Sequence, residues 1–344
     1  MSNVIKQTAL RILIATTVAV SMLTIVACNP LDRGNTMNTM HSPNADATNQ
    51  HTVAKAPSNP LDIRRPWNAI HNWAYWLDNP HLDQLGQSQY ELVVIDYSAD
   101  GSAQKAFTAQ QIEQLRQSSC QRRVVAYLSI GQAESYRGYW QQNWKEGSPA
   151  WLGPPDPNWD KNYWVNYWDP AWQHLIYRYL DAIIAAGFDG VYLDRIDAYQ
   201  EAYAAGHEDD MVQFVSNLAH YARTHSSLGA DFGIIVQNAE DLAQDHPDYV
   251  RLVTGIGREE VYVQATNQPT SASDRSSIEG NLDRFRQNSQ GGLVLTVDYA
   301  TNPEMVHLAY VRASAKGYIP YVTQAALDHL QTNVGYAPVC HPFQ

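Results

Sequence analysis

The chain has 344 residues, which is enough for one large domain with a substantial core or for two ordinary domains. It carries 23 basic and 35 acidic residues, a formal net charge of −12. Because nucleic-acid binding requires a basic surface, this composition predicts no nucleic-acid partner, and it is compatible with a cationic ligand.

The N-terminus has the pattern of an export signal. Two basic residues precede an apolar run, residues 12–27, which is too short to span a membrane comfortably. The run ends in small residues before Cys28, which resembles a bacterial lipobox and predicts removal of residues 1–27 and lipidation of Cys28, with palmitate among the acyl chains. An ordinary secretory signal or an uncleaved anchor are the alternatives. Asn29 is similar to an outer-membrane sorting residue, so we expect a lipid-anchored protein of the bacterial cell envelope.

Residues 28–60 are rich in Asn, Thr, Ser, Pro and His and contain few large apolar side chains. This composition predicts a flexible linker, followed by a single domain over residues 61–344. Cys120 and Cys340 lie in that domain and could pair in an oxidising compartment, although their positions in the sequence do not show that they meet.

Eight apolar runs follow one another along the domain, and each has the length of a strand. Continuous apolar runs, in place of alternating ones, are typical of strands buried on both faces of a parallel sheet. The predicted strands are Trp73–Leu77, Leu92–Tyr97, Val124–Ile130, Val191–Asp194, Phe232–Val236, Val261–Val263, Leu293–Val297 and Tyr318–Val322.

Helical stretches with clear start and stop residues separate most of these runs. Thr108 and Gln111 have capping-box spacing, and Asp169-Pro170 opens a helix that Gly187 ends. Eight strands alternating with helices over roughly 280 residues predict a single-domain (β/α)8 TIM barrel. An open, doubly wound sheet is the alternative, but it usually has fewer strands.

Acidic or amide residues lie at the ends of six successive predicted strands. Helix capping or ion pairing would explain any one of them, but in a barrel all six would meet at one rim and form an acidic pocket. These residues are Asp96, Glu134, Asp194, Asn238, the pair Glu259 and Glu260, and Asp298.

Two carboxylates on either side of a glycosidic bond are what glycoside hydrolysis needs, one protonated as the acid and one ionised as the nucleophile or base. Asp194 follows a short apolar strand and is one candidate. Adjacent residues of a strand face opposite sides, so the sequence does not choose between Glu259 and Glu260.

Seven of the ten tryptophans lie between Trp140 and Trp172. Exposed indoles can stack on sugar rings, but we expect most of these to pack the loop onto the barrel. The sequence contains no nucleophilic Ser or Cys motif, zinc-protease motif or dinucleotide fingerprint, and we predict neither a cofactor nor a metal.

Five segments, read together, resemble one family. They are Tyr127–Gly131, Glu134–Arg137, Gly187–Asp194, Gly257–Glu260 and Val297–Tyr299. In order and content they are similar to exported glycoside hydrolases related to endo-α-1,4-polygalactosaminidases, glycoside hydrolase family 114, over about residues 65–330. The resemblance implies a (β/α)8 barrel that acts on a polysaccharide, with partly deacetylated galactosamine polymer as a candidate.

The resemblance also implies roles for individual residues. Asp194 matches the strand-four carboxylate, and Glu259 matches the second position of an Arg-Glu pair, with Glu260 beside it as the alternative. Positions that match substrate binding are Asp96, Tyr127, Glu134, Tyr136, Asn238, Glu260 and Asp298.

The prediction is therefore a monomeric, exported lipoprotein that cleaves a polysaccharide within the chain, using Asp194 and Glu259. A retaining enzyme would hold the two carboxyl groups about 5 Å apart and an inverting one about 6.5–9.5 Å apart. The alternative is a non-catalytic, glycan-binding envelope lipoprotein, and a third hypothesis is a barrel enzyme of other chemistry.

Overall fold

The computed structural model describes residues 64–264, 267–289 and 292–343. The predicted signal peptide, the lipidation site Cys28 and the linker lie outside the described residues. Within the part of the chain that is described, no helix has the length and apolar character needed to cross a membrane.

Eight parallel strands form one sheet whose spatial order is the chain order, and helices lie between them. The indole Nε1 of Trp73 on the first strand donates to the carbonyl of Ile319 on the last (2.9 Å), so the two edges meet. This confirms the predicted (β/α)8 TIM barrel. The strands are β1 Trp73–Trp76, β2 Leu92–Ile95, β3 Arg123–Ser129, β4 Gly190–Asp194, β5 Gly233–Gln237, β6 Gly255–Glu259, β7 Leu293–Tyr299 and β8 Ile319–Thr323.

The sixth strand was predicted wrongly. The apolar run Val261–Val263 is not a barrel strand, and its last residue belongs to a short antiparallel ladder of Val263–Gln264 with Gln268–Pro269. The barrel strand β6 lies upstream and carries glycines where an apolar run is expected. At Gly257 a Cβ would collide with the hydroxyl of Tyr192, so the packing inside the barrel requires glycine there. Glycine interrupts the apolar run by which a buried strand is recognised in a sequence.

The predicted helix signals are found in place. Thr108 forms the capping box with Gln111, the side chain of Asp169 caps α3, and Gly187 follows α3 at φ +80°. The helices are α1 Leu82–Gln87, α2 Ala109–Arg116, α3 Pro170–Ala185, α4 Glu208–His225, α5 Leu242–Asp245, α6 Pro247–Leu252, α7 Ala272–Asn288 and α8 Pro303–Ala315. Short 3-10 helices occupy Trp67–Ala69, Ala103–Lys105, Ile196–Gln200, Ala202–Ala204 and Gly229–Asp231.

The connection between β3 and α3 forms a small antiparallel sheet of Gln132–Glu134, Asn162–Val165 and Leu152–Pro155. Its aromatic side chains pack in a chain towards α3, with Trp151 4.9 Å from Trp172 between ring centroids. Most of the loop tryptophans are buried or half-buried, as expected, so they pack the connection between β3 and α3 onto the barrel. Trp159 is the exception among them, at 44% exposure.

The chain that follows β8 runs from one end of the barrel to the other. The carbonyl of Leu327 accepts from the backbone N–H groups of Leu77 and Asp78 at the carboxyl ends of the strands. Further along, Cys340 is bonded to Cys120, which precedes β3, with 5.8 Å between their Cα atoms. Arg65 Nη2 also donates to the carbonyl of His341 (3.0 Å), so residues near both ends of the domain meet at the amino ends of the strands.

This disulfide closes a large loop, and its loss frees the unfolded chain. We expect Cys340→Ser to lower the free energy of unfolding by about 2–4 kcal/mol. Urea denaturation of both proteins under oxidising conditions measures the difference. Reductant should destabilise the wild type and leave the variant unchanged, and equal urea midpoints for the two oxidised proteins would contradict the prediction.

A buried carboxylate, Asp189, directly precedes β4 and binds several arginines at the amino end of that strand. Asp189 is fully buried and pairs with Arg64 and with Arg116 (3.2 Å), and Arg123 lies 3.8 Å away. The backbone N–H of Val124 donates to Asp189 Oδ2 at 2.8 Å. Asp189 is therefore the shared partner of several donors from separate segments.

Candidate active site

A cavity of about 490 Å³ lies at the carboxyl ends of the barrel strands, where the loops after each strand converge. Its lining contains eight carboxylates and three cationic side chains, so the pocket is strongly acidic. Seven of the predicted site residues line it: Asp96, Tyr127, Glu134, Tyr136, Asp194, Asn238 and Glu259.

Asp194 is the last residue of β4. Its Oδ2 accepts a hydrogen bond from the hydroxyl of Tyr127 on β3 at 2.6 Å. Burial raises the pKa of Asp194 to about 6; Glu259 adds to the rise, and Arg195 and the Tyr127 hydrogen bond oppose it. The carboxyl group can therefore change protonation near neutral pH, as a general acid or base must.

Glu259 is the last residue of β6 and lies in the same pocket. Its carboxylate accepts from the hydroxyl of Tyr299 and from Asn238 Nδ2 (3.1 Å). Glu260 follows at φ +56° and is absent from the described pocket lining. The chain turns sharply there, and of the two residues that the sequence left open, Glu259 is the one placed beside Asp194.

The floor of the pocket is built from the barrel interior. Tyr75 on β1 donates from its hydroxyl to Gln237 Oε1 on β5 (3.0 Å), across the barrel. The ring of Tyr192 on β4 packs on Tyr75 at 5.2 Å between centroids. Burial raises the pKa of Tyr75 well above its ordinary value, so its hydroxyl remains a donor. Gln237 is thereby held at the base of the cavity.

Three of the predicted binding residues converge on a cation that was not predicted as part of the site. Arg137 pairs with Asp96 and with Glu134, whose Oε2 is 2.7 Å from Arg137 Nε. Tyr136 donates to Glu134, and its ring lies 4.9 Å from the Arg137 guanidinium. Arg137 is buried, so it offsets the charge of both carboxylates and fixes this wall of the pocket.

The structure does not place Asp298 in the pocket. Residue 298 is fully buried, and its Oδ1 accepts from the backbone N–H groups of Tyr262 and Val263 at 2.7 and 2.8 Å. Burial raises the pKa of Asp298 to about 7, and those two hydrogen bonds lower it. Its neighbour Tyr299 lines the pocket instead, because consecutive strand residues face opposite sides. Asp298 therefore holds the loop after β6.

Positive φ angles occur directly after three successive strands. Arg195, Asn238 and Glu260 have φ of 60°, 60° and 56°, and none is glycine. Such backbone positions are costly and concentrate at functional sites. Each of these residues bends the chain away as its strand reaches the rim, beside a side chain that lines the pocket.

Several pocket residues were not predicted. Arg137 and Tyr299 lie inside the segments that resemble the family. The motifs do not show that Arg137 pairs with Asp96 and Glu134, nor which face of its strand Tyr299 occupies. Tyr75 and Gln237 are interior residues, and the segment 325–327 lines the pocket after β8. Two cations, Lys161 and Arg195, the exposed Trp159 and the acidic residues Asp78, Asp100 and Asp160 are further lining residues that were not predicted.

Comparison with known proteins assigns the chain to a family. The model of glycoside-hydrolase family GH114 matches residues 52–337. An uncharacterized protein of Deinococcus radiodurans is 40% identical over 282 residues, covering 80% of this chain and 88% of the relative.

Two solved structures share the fold. The glycoside hydrolase domain of PelA from Pseudomonas aeruginosa superimposes with a TM-score of 0.57 at 17% identity, covering 76% of this chain and 97% of that one. Aspergillus fumigatus Ega3, solved in complex with galactosamine, has a TM-score of 0.58 at 18% identity, covering 80% and 100%.

Proposed function

The chain belongs to glycoside hydrolase family GH114 and is a glycosidase, and we propose that it cleaves internal linkages of an amino-sugar polysaccharide, with Asp194 and Glu259 as the two catalytic carboxyl groups. The observation that carries the proposal is their placement. Both end barrel strands in one acidic pocket, and each accepts a hydrogen bond from its own tyrosine hydroxyl. One would donate a proton to the leaving oxygen, and the other would act ionised at the anomeric carbon or on a water.

The charge of the pocket favours a cationic sugar. Of the eight lining carboxylates, Asp96 and Glu134 are offset by Arg137. Asp78, Asp100 and Asp160 are exposed; Asp100 lies 3.7 Å from Lys105, and Lys161 is the one lysine of the lining. An ammonium group on a deacetylated amino sugar would be attracted to these carboxylates. The galactosamine bound to the related Ega3 supports the same class of substrate.

The exposed Trp159 supplies a flat apolar surface at the edge of the pocket. Sugar rings stack on such surfaces, and a protonated amino sugar adds cation–π attraction. A polymer lying across the rim could contact Trp159 while one linkage reaches the two carboxyl groups. This arrangement suits cleavage within a chain.

The test is reducing-end release from polymers that differ in sugar and acetylation. The panel contains galactosamine and glucosamine polymers, each fully acetylated and partly deacetylated, and a neutral galactan. We expect release from partly deacetylated galactosamine polymer and little from the neutral one. Cleavage of the neutral galactan alone would overturn the amino-sugar assignment, and cleavage of the fully acetylated polymers alone would overturn the preference for a cationic sugar. Binding without release from any polymer would overturn the assignment of Asp194 and Glu259 as a catalytic pair.

The pH dependence of kcat/KM provides a separate prediction. Because the pKa of Asp194 is about 6, we expect an ionisation near that pH in the wild-type profile. Tyr127→Phe removes a hydrogen bond that stabilises the charged carboxylate, so the ionisation should move to higher pH. A fall in activity on the acid side of this ionisation would mean that Asp194 acts ionised, and a fall on the alkaline side that it acts as the acid.

The matched control is Tyr299→Phe, which removes the hydroxyl that contacts Glu259 and leaves the Tyr127–Asp194 contact intact. Its profile should retain the ionisation near pH 6. An ionisation that Tyr127→Phe leaves in place would contradict the attribution to Asp194.

We also propose that the enzyme is exported and anchored through a lipid on Cys28, as the lipobox-like sequence predicts. Metabolic labelling with radioactive palmitate tests this directly. The wild type should be labelled and recovered in the envelope fraction, and Cys28→Ser should lose the label. Unlabelled wild type in the envelope would favour an uncleaved anchor instead.

A further inference from the structure

A group of metal-binding side chains lies at the opposite end of the barrel from the pocket. His71 precedes β1, Glu91 precedes β2, and His341 lies in the segment after β8. One ligand atom from each lies within 4.8 Å of the other two. Glu91 is fully buried, whereas both histidines are exposed, so the group opens to solvent on one side.

The ligand types and spacing suit zinc. Zinc binds imidazole nitrogen and carboxylate oxygen at about 2.0–2.2 Å, so two ligands of one tetrahedral ion lie roughly 3.4 Å apart. His341 Nδ1 and Glu91 Oε1 are already 2.9 Å apart, and rotation of the exposed imidazoles would bring the three ligand atoms to the spacing that one ion requires. Two histidines and one glutamate leave a fourth position for water, which the solvent side of the group can supply.

The carboxylate is already held in place by other groups. Glu91 Oε2 accepts from the backbone N–H of His71 (2.6 Å), and Oε1 accepts from the backbone N–H of His341 (2.7 Å). Arg65 lies 3.2 Å from Oε1. A carboxylate oxygen can accept more than one contact, so these bonds do not exhaust the acceptor capacity of Glu91. Glu91 is thus positioned before any ion arrives.

The histidines are held by the fold as well. Their rings meet edge to face at 4.7 Å between centroids. Cys340, bonded to Cys120, fixes the backbone next to His341, and Asn72 Nδ2, next to His71, donates to the carbonyl of Val339 at 2.8 Å. Little chain entropy would be lost on binding, because both histidines are attached to fixed backbone.

From these contacts we propose that His71, Glu91 and His341 form a zinc site that fastens the C-terminal segment to the amino ends of β1 and β2. The site would join separate segments of the fold and lies at the opposite end of the barrel from Asp194 and Glu259. Binding requires neutral imidazoles, so the affinity should fall as the pH drops below the histidine range.

The test uses the full-length chain, stripped with chelator and dialysed against zinc chloride, with bound metal determined by elemental analysis and titration calorimetry. The variants are His71→Ala and His341→Ala, both at exposed positions. The control is His220→Ala, an exposed histidine on α4 outside the group. The wild type and the control should bind one more zinc per chain than the two variants. Loss of a direct ligand should weaken binding at least as much as loss of an outer-shell partner does, about a hundredfold.

Thermal unfolding provides the second readout. Zinc should raise the Tm of the wild type and of His220→Ala, and it should leave the Tm of His71→Ala and His341→Ala unchanged. The proposal would be overturned if both variants bound as much zinc as the wild type with the same affinity, or if the wild type bound no zinc. Neither readout depends on hydrolysis.

Discussion

Asp194→Asn and Glu259→Gln should each lower kcat/KM for polymer hydrolysis about a thousandfold or more, while leaving the fold intact. Each substitution keeps the shape of the side chain and removes its ability to carry a negative charge or donate an acidic proton, which accounts for about 10²–10⁴ in rate for a proton-transferring residue. The double variant should be little worse than the poorer single variant, because the two groups act on one bond. Initial rates of reducing-end release measure all three.

The matched control is Asp209→Asn on α4, where the carboxylate is 94% exposed and lies outside the pocket lining. It should retain wild-type rates. Melting temperatures within a few degrees of the wild type show that the variants are folded. A Glu259→Gln protein with wild-type activity would remove Glu259 from the mechanism and direct attention to another carboxylate of the pocket.

The largest effect on stability should come from Asp189→Asn, with an expected loss of about 3–5 kcal/mol in the free energy of unfolding. Asp189 is fully buried and accepts from Val124 N–H while pairing with Arg64 and Arg116. An amide removes the negative charge and points N–H donors at other donors, which leaves buried cations without compensation. Urea denaturation monitored by tryptophan fluorescence gives the difference.

Asp231→Asn is the control for this prediction. Asp231 pairs with one of the same arginines, Arg123, at 2.7 Å, but its side chain is 45% exposed. Solvent screens this pair, so the variant should lose at most about 1 kcal/mol. Similar losses in the two variants would mean that Asp189 does not organise the buried charges.

Much of the architecture could be predicted because its signals are local. Buried parallel strands produce continuous apolar runs, and caps such as Thr108 with Gln111 act over one helical turn. The ends of these strands located the pocket, since a barrel brings them together whatever its loops do. The exception was β6, where contact with Tyr192 across the interior requires Gly257.

What could not be predicted depends on contacts between distant segments. The pairing of Arg137 with Asp96 joins residues on two different loops. Asp298 and Tyr299 are neighbours in one motif, yet only Tyr299 lines the pocket, because a strand alternates its faces. The motif therefore indicated which segment reaches the pocket, but only the folded structure shows which of its residues lines the pocket.

The contact between Arg65 and His341 has a consequence for how the enzyme is oriented. It places the beginning of the described domain at the amino ends of the strands, and the pocket opens at their carboxyl ends. Any attachment that reaches the domain through the residues before Arg64 therefore joins it on the face opposite the pocket. On a surface to which it is tethered in this way, the barrel can stand with its acidic opening pointing outward, where a long polymer can approach from the side without the surface in its path.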